Sequence, residues 1–78
     1  MSLVDDYIKT YELMKVILSF EEYNDYNIII AVMTIQKLIS LYKELKNHSV
    51  MNKYNFSVIQ ELIKNKEDLK PIWESFDI

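Results

Sequence analysis

The sequence predicts an all-α protein: a small helical bundle of three main helices plus a short C-terminal helix, completed by dimerisation. Three observations predict it. Apolar residues recur at steps of three and four through most of the chain, the spacing that puts them on one face of a helix. Glycine is absent and proline occurs once, which makes the tight primed turns between paired strands hard to form. The third observation is a missing cross-link. A chain of 78 residues with no cysteine and a single histidine, His48, lacks the disulfide or zinc staple that small cores usually need.

The first helix is expected over 3–19, where Val4, Tyr7, Ile8, Tyr11, Met14, Ile17 and Leu18 make one stripe. Ser2 followed by Asp5 resembles a capping box, and Asp5 with Asp6 suits the positive end of the helix dipole. The stretch SFEEYNDYN, 19–27, reads as a break, because asparagine and aspartate satisfy the backbone locally in turns. Within it Ser19 and Glu22 are placed to cap a short extra turn, and Asn24 or Asn27 to start the next helix.

The second helix is expected over 28–46, with a stripe of Ile28, Val32, Ile35, Leu38, Ile39, Tyr42 and Leu45. A strand over IIIAVMTI is the rival, since isoleucine and valine favour sheets. The helical spacing that continues through Leu45, and the lack of a partner strand, decide against it. Asn47 is placed to close this helix in a left-handed conformation, in the place of a glycine. After a polar connection, Ser57 with Gln60 suggests a capping box for a third helix over 57–65, ended by Asn65. The last helix has Asp68 as its expected cap and Pro71 in its first turn, where a missing N–H is tolerated. Leu69, Ile72, Trp73 and Phe76 form its stripe. No linker or repeat divides the chain, so residues 1–78 are read as one domain.

Several function classes are disfavoured at this level. Without glycine, phosphate-cradling loops that need its backbone freedom cannot be built. The longest apolar run, Ile28 to Met33, is far shorter than the roughly 20 residues of a membrane span. The acidic start MSLVDDY is unlike a secretory leader. A cytoplasmic protein away from membranes is expected, with no cofactor and no metal.

Charge is segregated although the net is only −3. Residues 1–27 carry two lysines against six acids, residues 28–66 six lysines against two acids, and residues 67–78 one lysine against four acids. The simplest use is mutual: acidic segments against the basic middle, within the chain or across a dimer. An alternative is a nucleic-acid-binding regulator using the lysine-rich middle, 37–66. The acidic total and the absence of arginine weigh against it.

A further alternative is a magnesium-dependent, nucleotide-processing all-α enzyme or a fragment of one. Such enzymes gather metal with carboxylate pairs on two helices. Glu22-x-x-Asp25 would be one pair if that stretch were helical, but no second pair is visible. His48, in a turn without a carboxylate at useful spacing, is expected to be solvent-exposed.

The leading expectation is a non-catalytic interaction or regulatory protein that presents a helical apolar and aromatic surface. Ile29, Ile30 and Met33 lie off the main stripe of the second helix, which points to self-association as a homodimer. Tyr7, Tyr11, Trp73 and Phe76 are the candidate anchors for a protein partner.

Overall fold

The computed structural model describes residues 2–76 and is helical throughout its regular elements. The chain runs α1 (Leu3–Leu18), α2 (Asp25–Leu45), a single 3-10 turn (Ser49–Asn52), α3 (Phe56–Lys64) and α4 (Lys70–Glu74). It occupies roughly 34 × 23 × 18 Å. Among the described residues no strand forms, and no helix is long and apolar enough to cross a membrane.

The first three α-helices each begin where a short polar side chain replaces a missing backbone partner. The Ser2 hydroxyl accepts from the Asp5 N–H at 3.1 Å and opens α1, as the sequence suggested. Asn24 opens α2 by accepting from the Asn27 N–H at 2.8 Å. The helix therefore starts at Asp25, one turn before the expected 28. Ser19 closes α1 instead of capping an extra turn.

Three other expected caps are corrected. Asn55, not Ser57, opens α3, accepting from the Ser57 N–H at 2.8 Å and the Val58 N–H at 3.3 Å. Asparagine wins because its carbonyl reaches two amides at once. Asp68 does not cap α4, whose N-terminus has no side-chain cap; Leu69 there is already helical, and Pro71 sits in the first turn as expected. Asn47 does not adopt a left-handed conformation, and no described residue has positive φ. The chain leaves α2 by a tight turn, the His48 N–H donating to the Leu45 carbonyl at 2.8 Å. His48 then caps the 3-10 turn, its Nδ1 accepting from the Val50 N–H at 3.0 Å.

Helices α1 and α2 form an antiparallel hairpin, α3 packs on α1, and α4 packs on α3. The core is one cluster: Tyr7, Met14 and Ile17 from α1, Ile35 and Leu38 from α2, Ile59 and Ile63 from α3, and Leu69 and Trp73 from the C-terminal segment. Removing each such side chain from water contributes about 1.5–3 kcal/mol before the ordering of the chain is set against it. Leu41 of α2 is buried as well.

Candidate interaction surface

The rings expected as partner anchors are built into the core. Tyr7 is fully buried, and Tyr11 and Trp73 are nearly so; Phe76 is half-buried against the same cluster. The Tyr7 hydroxyl donates to the Tyr54 carbonyl at 2.7 Å, and the Tyr11 hydroxyl to the Asn55 carbonyl at 2.9 Å. Two side chains one turn apart on α1 thus clamp the entry to α3. Burial raises the pKa of both phenols, with Tyr11 adding to the effect on Tyr7 and Glu12 to that on Tyr11. Trp73 leans on Phe56, which stacks on Tyr42 with ring centres 3.8 Å apart.

The self-association candidates divide. Ile29 is 58% exposed and Met33 64%, whereas Ile30 is half-buried against the core. Helical spacing explains the division. Tyr26, Ile29 and Met33, at i, i+3 and i+7, share the outward stripe of α2, and Tyr26 is 72% exposed. Ile30 packs against the core cluster instead.

Across from Met33, α1 presents Leu13, 47% exposed. Between the two helices runs an open groove of about 310 Å³ lined by Lys9, Thr10, Leu13, Met33, Thr34 and Lys37. Thr10 and Thr34 form its floor. Both are buried, and each hydroxyl donates to the carbonyl four residues earlier in its own helix, Asp6 and Ile30, at 2.7 Å. The floor therefore offers methyl groups with no unsatisfied hydroxyl.

Sequence reasoning missed Leu13 and Tyr26. The signal was present: Leu13 lies off the Tyr7–Tyr11–Met14 stripe, and Tyr26 falls in register with Ile29 and Met33. It also missed a second apolar pair, Val58 and Leu62, one turn apart on α3 and about half exposed. They border a groove of about 420 Å³ against α1, with Tyr11 and Tyr54 in its wall and Glu12, Lys15 and Lys53 around it.

The titratable groups are dispersed. Glu22 precedes α2, so Glu22 and Asp25 do not share a helical face. Among the described residues no three of His, Asp and Glu stand together as a metal cradle. Of the six lysines in the basic middle, Lys53 and Lys66 lie 5.6 Å from the ring centres of Tyr54 and Tyr23, and Lys64 pairs with Glu61 at 3.7 Å. His48 is exposed, as expected, and its Nδ1 is occupied as a cap acceptor.

No protein-family model, curated protein or solved structure matches the chain.

Proposed function

We propose that this chain is a non-catalytic interaction and regulatory protein that acts through the apolar face of its α1–α2 hairpin, and that a second copy covers that face. The carrying observation is the exposure of Tyr26, Ile29 and Met33 along one stripe of α2, with Leu13 exposed across the groove from Met33. Four large apolar side chains in one patch are a docking signature, whereas scattered ones are ordinary. A specific interface buries about 800 Å² on each partner. That is roughly a seventh of this chain's 5256 Å². The chain also has no disulfide to stabilise its small core, so a second copy adds burial where one domain is short of it.

The test is the mass in solution over a dilution series. The wild-type chain is expected to approach twice its 9.4 kDa at high concentration. Ile29→Glu combined with Met33→Glu should sediment as a single chain throughout, with unchanged helical content because both sites face water. A wild-type mass of one chain at every concentration rejects the proposal.

A further inference from the structure

We infer that the second copy docks antiparallel, α2 on α2, about a two-fold axis that crosses the helix between Ile29 and Ile30. This rests on the self-association reading above and specifies its geometry. A closed pair of identical chains must present the same patch to itself. Two arrangements of α2 meet that condition. With the axis along the helices they run parallel and each residue meets its own twin. With the axis across them they run antiparallel and the two ends of the patch exchange.

The patch has chemically different ends. Tyr26, Ile29 and Met33 centre it near Ile29. Beyond Met33 the exposed surface of α2 becomes polar at Lys37 and Ser40. Before Tyr26 lie the exposed acids Glu21, Glu22 and Asp25. The Asn27 side-chain amide donates to the Glu22 carbonyl at 3.5 Å, which ties that loop to the first turn of α2. Among the described residues Glu21, Glu22 and Lys37 make no ion pair.

A parallel pair would set Lys37 against Lys37 and the acids against one another. An antiparallel pair sets the basic end on the acidic end, twice. The spacing agrees within the helix: at 1.5 Å per residue, Tyr26 and Met33 lie about 5 Å either side of the Ile29–Ile30 midpoint, with Lys37 beyond Met33 and the acidic loop beyond the other end. The same axis lays Met33 against Tyr26 of the second copy, a sulfur–aromatic contact. Moving the axis one turn toward the C-terminus would lay Ile29 on Lys37 and Tyr26 on Ser40 and lose most of the apolar overlap.

Charge reversal tests this register apart from self-association. Lys37→Glu alone and Glu22→Lys alone should each dissociate about tenfold more readily, since both symmetric contacts turn repulsive. An equimolar mixture should recover wild-type affinity as a heterodimer, because both contacts then pair opposite charges. Single-cysteine variants give an independent readout in a chain with no native cysteine. Lys37→Cys mixed with Glu22→Cys should form the mixed disulfide, and neither should cross-link to itself. Self-cross-linking of each variant, or reversals that weaken association without mutual rescue, overturns the antiparallel register and leaves the homodimer standing. A wild-type chain that stays single at all concentrations overturns the homodimer itself.

Discussion

Tyr7 donates its hydroxyl proton to the Tyr54 carbonyl across 47 residues of chain, at 2.7 Å. The ring lies fully inside the core while the hydroxyl fastens α1 to the segment that enters α3. Tyr11 repeats the arrangement one turn later on Asn55. Its ring meets that of Tyr54 edge-on, with centres 5.4 Å apart. Aromatic mass and a polar tip are thus used together, which phenylalanine cannot do.

Tyr7→Phe should lower stability by about 1–3 kcal/mol, because the Tyr54 carbonyl loses its donor in a part-buried site. The double change Tyr7→Phe, Tyr11→Phe should differ from the sum of the single changes, since the two residues hold adjacent carbonyls. Urea unfolding followed by circular dichroism measures both. Additive values would show that the two clamps act independently.

Stability should fall in alkali from the hydroxyls of Tyr7, Tyr11 and Tyr23. Burial raises all three from their ordinary value of 10.0. In the folded chain they hold their protons to higher pH than in the unfolded chain. The folded state therefore binds more protons above pH 10, and unfolding gains as pH rises. Stability attributable to these groups is fully present below pH 10 and is lost progressively above it. The urea midpoint should drop as the pH rises above about 10, and Tyr7→Phe should show a shallower drop.

The two candidate caps of α3 separate by substitution. Asn55→Ala removes the acceptor for two amides and should cost about 1 kcal/mol. Ser57→Ala, one step inside the helix and exposed, should change stability by less than about 0.5 kcal/mol. Equal losses at the two positions would contradict the cap geometry.

Phe56→Ala should be among the most damaging single changes, at about 3–5 kcal/mol. Its ring lies between Tyr42, stacked at 3.8 Å, and Trp73, at 5.9 Å, so its loss uncouples α4 from α2. Trp73 fluorescence reports this directly: the emission should shift to the red in the variant even at low denaturant.

Much of this architecture is legible from spacing. The stripes of α1 and α2 become core because steps of three and four leave one face to bury, and Pro71 falls in a first turn as its missing N–H requires. Cap choice is less legible. Asn55 and Ser57 both suit a helix start, and only backbone geometry decides which oxygen reaches which amide. The same holds for Asn47 and His48: a left-handed closure and a 3-10 turn both end a helix, and the polar composition of the stretch fits either.

The surface is the hardest part. Periodicity marks Tyr7, Tyr11 and Trp73 as apolar, but it does not say whether a ring faces the chain's own core or a partner. Tertiary packing places them inside. It leaves outside Leu13, Tyr26, Ile29 and Met33, which spacing alone assigns only to a secondary stripe.

The described backbone contains no residue of positive φ, and the chain contains no glycine. Its bends are therefore all made from conformations that ordinary side chains adopt willingly. The denatured chain has correspondingly fewer shapes open to it than a glycine-bearing chain of equal length, and collapse removes less disorder. Such joints should accept broad residue replacement, which makes this small bundle a forgiving frame for grafted loops.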